Sequence, residues 1–144
     1  MKGQSATEFF LYITLFMFIA IVAFVMVDYT QRSELPSQKN KVAVGVGYNI
    51  ADAISLAVRA GPGFTYYYYF PKTIYGYPYN ITFKTNAMVM EWTNEYGSFN
   101  YYYSLPTYSY SYDGCIKNGV LSSDKCSNLL ILNNTENGLV ISNR

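Results

Sequence analysis

The feature that most constrains this chain is an uncharged apolar run close to its N-terminus. Residues 9–27 read FFLYITLFMFIAIVAFVMV, and only Tyr12 and Thr14 carry a polar atom. In a helix this run covers roughly 28 Å, close to the hydrocarbon thickness of a bilayer. A helix on the surface of a small soluble domain has a polar face, and this run has none. The run therefore predicts a helix that lies in a membrane or inside a bundle of helices.

The composition argues against several kinds of function. The chain has no histidine, which removes the commonest general base and the commonest metal ligand. Its net charge of +1 predicts no basic patch, so we expect no nucleic-acid partner. The nine acidic residues are scattered, and no glycine-rich phosphate loop or paired-carboxylate motif is present. We therefore expect no enzyme, no metal site and no cofactor.

The residues before the apolar run are arranged differently from a secretory signal peptide. Lys2 and Gly3 come first, Gln4 follows, and Glu8 stands immediately before the run. A secretory signal is cleaved after its apolar core, whereas cleavage here would leave the apolar run on the mature protein. Glu8 is either an exposed carboxylate that suits a helix N-terminus or a carboxylate that becomes buried. A buried Glu8 needs a cation, and the new α-amino group of Gln4 would lie about one helical turn away.

Residues 2–8 followed by the apolar run resemble the class III signal peptide of archaeal type IV pilins. The resemblance implies that a membrane peptidase cuts between Gly3 and Gln4, and that Glu8 is the glutamate at the fifth mature position. The chain departs from the usual pattern because Ser5 occupies the second mature position and Thr7 the fourth. Gln4 and Glu8 are then the residues through which the subunit assembles.

The resemblance also implies partners and a location. These are self-association into a filament, the membrane before assembly, a prepilin peptidase, an assembly ATPase and a polytopic platform protein. The precursor would keep its N-terminus in the cytoplasm and its head outside, as the positive-inside tendency favours. The mature protein would belong to an extracellular filament.

The segment after the apolar run predicts a connection and a second helix. Pro36 is expected to kink or interrupt the helix, and an amphipathic helix is expected over residues 41–60. Gly61, Pro62 and Gly63 should end it. Its apolar stripe has spacings of three and four residues and comprises Val42, Val46, Ile50, Ala53, Ile54, Ala57 and Val58.

The remainder predicts short strands at residues 64–70, 79–85, 87–93 and 99–104, and a hairpin of residues 129–132 and 139–142. The expected fold is α+β, a long N-terminal hydrophobic helix followed by a small antiparallel β-sheet head of five to seven strands. The expected organisation is a leader at residues 1–3, a membrane or filament-core helix at 4–28, a linker and amphipathic helix at 29–60, and a Tyr-rich head at 61–144.

The head is rich in tyrosine and poor in charge. A run such as residues 66–69 places rings on both faces of a strand, so we expect aromatic rings on the outer face. Exposed aromatic surface indicates an interaction site more often than bare surface. Subunit packing in a filament, adhesion to glycan or mineral surfaces, and an ordinary tyrosine-rich surface remain open as uses.

Two features of the head depend on export. Asn80 and Asn133 each begin an N-x-[ST] glycosylation pattern, which short sequences also match by chance. Cys115 and Cys126 would be free thiols in the cytosol, but in an exported head a disulfide is the better interpretation.

Three functions stay in competition. The first is a structural subunit of a type IV pilus-like filament on the archaeal cell surface, with a role in adhesion. The second is a minor pilin or an archaellum-associated subunit. The third is a membrane-anchored surface adhesin that never polymerises.

Overall fold

In a computed structural model of the chain, the backbone is described for residues 2–143 and the side chains for residues 7–32 and 35–143. The chain divides into two compact units, Met1–Gln38 and Lys39–Arg144. The helix α1, Lys2–Ala60, contributes to both units.

The first unit consists of the N-terminal part of α1. All side chains of residues 7–32 are exposed, including every aromatic and branched residue of the apolar run. Thr14 donates its hydroxyl hydrogen to the carbonyl oxygen of Phe10 at 2.8 Å, which satisfies this polar group within the helix. Asp28 and Arg32 form an ion pair at 3.0 Å one turn beyond the run, the spacing at which such pairs support a helix.

Pro36 lies inside α1, so of the two effects expected at this residue the interruption is wrong and the kink stays a prediction. Proline removes one backbone donor and leaves the carbonyl oxygen of residue i−4, here Arg32, without its helical partner. Arg32 and Leu35 are both exposed, so water can hydrogen-bond to that oxygen. An exposed helix therefore tolerates the proline better than a buried helix would.

The second unit contains the C-terminal part of α1 and eight strands. These are β1 (Thr65–Tyr69), β2 (Tyr79–Phe83), β3 (Ala87–Asn94), β4 (Gly97–Ser104), β5 (Tyr110–Gly114), β6 (Val120–Ser122), β7 (Leu129–Thr135) and β8 (Gly138–Asn143). They form two four-stranded sheets, with orders β1-β7-β8-β5 and β4-β3-β2-β6. Every pairing is antiparallel except that of β5 with β8.

The fold class predicted from the sequence is confirmed, with corrections to the number and pairing of strands. The described residues contain eight strands in two sheets, more than the single sheet of five to seven that we expected. Strands β5 and β6 were not predicted because they are short and contain polar residues, reading YSYDG and VLS. The β7–β8 hairpin was predicted with too long a loop: Thr135 pairs with Gly138, which leaves a two-residue turn.

Helix α1 ends where the glycines predicted. Gly61 has a φ of 84°, a left-handed conformation that glycine adopts at little cost and that commonly closes helices. Its amide donates to the carbonyl oxygen of Val58 at 3.3 Å. The chain then enters β1 through Gly63, whose φ is 89°.

The core lies between one stripe of α1 and the inner faces of the sheets. From the helix, Ala43, Ile50, Ile54 and Ala57 are fully buried. The stripe begins at Ala43 and not at Val42, which is exposed, so the predicted stripe was wrong at its first residue. The sheets contribute the largest buried side chains, which include Trp92, Tyr79, Ile81, Met88, Met90, Leu121, Leu130, Leu132, Leu139 and Ile141.

Candidate assembly helix and head surface

The residues predicted for processing and assembly lie at the start of α1. Gly3 and Gln4 fall outside the residues whose side chains the structure describes, so the cleavage site remains a prediction. Glu8 is described and exposed. Its carboxylate has no hydrogen bond or ion pair with any side chain described at residues 7–32 or 35–143. A partner for this charge would have to come from the residues whose side chains are not described, from the mature N-terminus or from another molecule.

The apolar helix that follows Glu8 exposes its large side chains on all sides. It is long and apolar enough to cross a membrane, with a mean hydropathy of 2.8 over its most apolar window and none of that window buried. Fully burying one large apolar side chain contributes about 1.5–3 kcal/mol. A run of such side chains exposed to water is therefore strongly driven into lipid or into contact with other helices.

Tyr103 fixes the second half of α1 against strand β4. Its ring lies so close to Gly47 that a Cβ placed there would come within 2.4 Å of the ring. The hydroxyl of Tyr103 donates to the carbonyl oxygen of Val44 at 3.0 Å. Burial raises the pKa of Tyr103 to about 12. Gly47 is thus a packing residue, and its absent side chain makes room for the tyrosine.

Asn134 ties the end of α1 to the sheet β1-β7-β8-β5. This buried side chain donates its amide hydrogen to the carbonyl oxygen of Ala57 at 2.8 Å and accepts from the hydroxyl of Tyr108 at 2.9 Å. Its backbone amide donates to the carbonyl oxygen of Phe64 at 2.8 Å. Carbonyl groups in the last turn of a helix lack helical partners. Asn134, on the distant strand β7, donates a hydrogen bond to one of these carbonyl oxygens.

A charged and aromatic cluster surrounds Lys39, the first residue of the second unit. The ammonium of Lys39 lies 2.5 Å from a carboxylate oxygen of Glu95, and the other oxygen accepts from the hydroxyl of Tyr77 at 3.0 Å. The same ammonium stands 5.8 Å from the ring centre of Tyr75 and 5.2 Å from that of Tyr96. These are distances at which a cation is attracted to an aromatic face.

The cluster shifts the pKa of each charged member toward its charged form. The hydrogen bond from Lys39, with that from Tyr77, lowers the pKa of Glu95 below its usual 4.5. The hydrogen bond to Glu95 raises the pKa of Lys39 above its usual 10.5. This cluster was not predicted from the sequence. Lys39 and Glu95 are 56 residues apart, and no local pattern connects them.

The tyrosines of the head divide between core and surface as the alternation of strands predicts. Along β1, Thr65, Tyr67 and Tyr69 are exposed while Tyr66 and Tyr68 are half-buried. Along β4, Tyr102 is exposed between half-buried Tyr101 and buried Tyr103. The expectation of aromatic rings on the outer face is therefore confirmed, while the use of that face stays a prediction.

Both predicted glycosylation residues are exposed on strands. The side-chain oxygen of Asn80 accepts from the hydroxyl of Ser122 at 2.7 Å, and that of Asn133 accepts from Thr65 at 3.2 Å. In each case the amide nitrogen, the atom that receives a glycan, is not the atom that the neighbouring hydroxyl contacts. Their modification stays a prediction.

Cys115 and Cys126 are joined by a disulfide, with Cα atoms 5.8 Å apart. This confirms the pairing favoured for an exported head, since disulfides persist in oxidising compartments. The described part of the chain contains no group of three or more Cys, Asp or Glu side chains arranged to hold a metal ion.

Comparison with protein-family models, with curated proteins and with solved structures gave no match to this chain.

Proposed function

We propose that this chain is a structural subunit of an extracellular type IV pilus-like filament on an archaeal cell surface, with a role in adhesion. A prepilin peptidase removes residues 1–3, and the subunit then assembles through its N-terminal helix. The observation that carries the proposal is the exposure of the whole apolar helix, residues 9–27, on a chain whose other unit has its own buried core.

The contrast between the two units supports this function. A head with its own core needs no help from residues 9–27 to fold, so their apolar surface is available for another environment. Lipid provides that environment before assembly, and neighbouring copies of the same helix provide it in a filament. The disulfide between Cys115 and Cys126 suits a head outside the cell.

Glu8 can set the axial position of one subunit relative to its neighbours in the filament. Once an apolar helix leaves lipid and packs among others, an unpaired carboxylate at its start becomes costly. The α-amino group created at Gln4 can neutralise Glu8 of its own chain or of a neighbour. A pairing between chains would favour one axial offset over others.

The direct test replaces Glu8 and follows insertion and assembly separately. In cells that make the Glu8→Ala chain, we expect normal recovery of the subunit in membranes and loss of filaments from sheared surface preparations seen by electron microscopy. Glu136→Ala is the matched control, because Glu136 is an exposed acid in the β7–β8 turn and should leave filaments unchanged.

Three results would contradict the proposal. Filaments that contain the Glu8→Ala subunit at normal yield would exclude the assembly role of Glu8, and absence of the parent chain from sheared filaments would favour a membrane-anchored adhesin that does not polymerise. Mass spectrometry that finds Met1 on the assembled surface protein would exclude cleavage after Gly3.

A further inference from the structure

A groove of about 370 Å³ runs between α1 and strand β4 within the Lys39–Arg144 unit. Its size lies in the lower part of the range of small-molecule sites, about 300–1,000 Å³. The side chains that give it chemical character are Tyr48, Asp52, Ser55, Arg59, Tyr102 and Ser104. None of them takes part in the proposed processing or assembly.

Two tyrosine rings form apolar surfaces beside this groove. Tyr48 is 64% exposed and Tyr102 is 73% exposed, although both come from elements whose other side packs in the core. They are attached to a rigid base, because neighbouring Tyr103 is buried and bonded to the helix backbone at Val44. Each ring has only two side-chain torsions to fix, so it loses little conformational freedom when a ligand stacks on it.

The polar groups of the groove come mainly from one face of α1. Tyr48, Asp52, Ser55 and Arg59 follow at spacings of four, three and four residues, which places them in one row. Asp52 and Arg59 have no hydrogen bond or ion pair with other described side chains. Asp52 can thus accept hydrogen bonds from a ligand, and Arg59 can donate several in a fixed fork. The hydroxyl of Ser55 donates to the carbonyl oxygen of Ala51, which leaves its oxygen able to accept.

We propose that this groove binds a neutral saccharide of linked pyranose rings. The apolar C–H face of a pyranose stacks on Tyr48 and Tyr102, while its hydroxyls donate to Asp52 and accept from Arg59. One negative and one positive side chain cancel, so the groove favours neither an anion nor a cation. This inference deepens the adhesive role in the proposed function and depends on that function only for its biological setting.

The polar row of α1 is long enough for an extended ligand. Asp52 and Arg59 are seven residues apart, or roughly 10.5 Å between their Cα atoms along the helix axis. Two linked sugar rings carry hydroxyls over such a length and can therefore reach polar groups at both ends of the row.

The test is a titration of the full chain with cellobiose, maltose or N,N′-diacetylchitobiose, followed by NMR of labelled tyrosine rings. The chain is held in phosphocholine micelles, because glycoside detergents would compete with the sugar. We expect at least one sugar to shift the Tyr48 and Tyr102 signals saturably, with a Kd on the order of 1 mM, which corresponds to about 4 kcal/mol. The signals of Tyr69, which is 67% exposed on β1, should stay unchanged.

Variants then assign the binding to the groove. Tyr102→Ala and Asp52→Asn should each raise the Kd about tenfold or more, while Tyr69→Ala should leave it unchanged. The fluorescence of Trp92, the single tryptophan of the chain, verifies that each variant is folded. Because the titration uses the purified chain, it succeeds or fails whether or not filaments form in cells.

Three outcomes would overturn the proposal. The first is the absence of saturable shifts with all three sugars at about 10 mM, tenfold above the expected Kd. The second is an equal response of Tyr69, which would indicate non-specific stacking. The third is movement of the Tyr48 and Tyr102 signals on diluting the protein but not on adding sugar, which would make the groove a contact between copies of the chain.

Discussion

The two units of this molecule use large apolar side chains in opposite ways. Ile19 in the N-terminal helix is 56% exposed, whereas Ile54 in the head-side part of the same helix is fully buried at 0%. Both belong to α1, and neither the residue type nor the secondary structure distinguishes them. What differs is the neighbourhood: Ile54 packs in the core of its own unit, whereas Ile19 is exposed. Because the second unit has a buried core of its own, the exposure of residues 9–27 favours an environment for them outside the chain.

The largest effect should come from charges placed in the exposed helix. Phe18→Lys with Ile21→Lys puts two cations near the centre of the apolar run, at roughly 2.5–3.5 kcal/mol each for insertion into a bilayer. The double variant should therefore be extracted from membranes by alkaline carbonate, while the parent chain stays membrane-bound.

Matched lysines in the head sharpen the same comparison. Phe18 and Ile21 are 64% and 60% exposed, and Tyr69 and Tyr67 on β1 are 67% and 59% exposed. Tyr67→Lys with Tyr69→Lys should change stability and membrane retention little, because surface substitutions are usually within about 0.5 kcal/mol each. Equal loss of membrane retention in both variants would mean that residues 9–27 are no more important for membrane binding than an equally exposed part of the β-sheet.

The second effect concerns the buried side of the comparison. Ile54→Ala should lower the free energy of unfolding of the second unit, Lys39–Arg144, by about 2–5 kcal/mol through lost burial and a cavity. Ile19→Ala should leave that free energy unchanged. Trp92 is fully buried in the head, so its fluorescence in a urea titration of the micelle-bound chain reports on the head alone. A loss of head stability in Ile19→Ala would contradict the division into two units.

The sequence predicted the parts of this fold that depend on local patterns. The uncharged run of residues 9–27, the helix end at Gly61 and the strands of the β7–β8 hairpin follow from periodicity and turn residues. The strand β5 did not, since it depends on parallel pairing with β8, the strand that ends the described chain. The buried amide of Asn134 likewise acquires its role only when its strand meets the end of α1.

The site was less predictable than the fold. Glu8 and the apolar run stand next to each other in the sequence, and their chemistry can be read from a few residues. The groove at Tyr48 and Tyr102 joins residues 54 positions apart, and the sequence alone gave only a generally aromatic surface. The helix continues through Pro36 because its exposed surroundings offer water to the unpaired carbonyl oxygen, an effect that propensity does not include.

A third, smaller effect separates two glycines of α1. Gly47→Ala would push a Cβ against the ring of Tyr103, and such overpacking typically costs about 1–3 kcal/mol. Gly45→Ala is the matched control, since nothing lies within 4 Å of the added atom. There the loss of glycine's backbone freedom should stabilise the head by about 0.5–1 kcal/mol. Because both variants gain from the loss of glycine's freedom, urea unfolding followed by Trp92 should find Gly47→Ala less stable than Gly45→Ala, and equal stabilities would mean that the ring of Tyr103 does not pack against Gly47.

The smallest effect concerns Lys39, whose contacts lie wholly within the second unit. Lys39→Met keeps an unbranched side chain similar in length to the aliphatic part of lysine, but it removes the ammonium that contacts Glu95. The pKa of Glu95 should then rise toward its usual 4.5, measured by ¹³C NMR of its carboxyl carbon as pH is lowered. Lys41→Met, which changes an exposed lysine two residues away, should leave this pKa unchanged.

The same contact fixes the direction of the pH dependence. Because the pKa of Glu95 is lowered in the folded protein, its contribution to stability is present above pH 4.5 and is lost as pH falls through the folded value. The raised pKa of Lys39 acts at the other edge: its contribution is present below pH 10.5 and is lost as pH rises through the folded value. Lys39→Met should therefore weaken the pH dependence of the urea midpoint in both the acidic and the alkaline range. Lys41→Met should weaken it in neither. If Glu95 titrates identically in the parent chain and in Lys39→Met, the ammonium is not its partner, and the first turn of the head-side helix is held by its apolar stripe and by the hydrogen bond from the Tyr101 hydroxyl to the side-chain oxygen of Asn40.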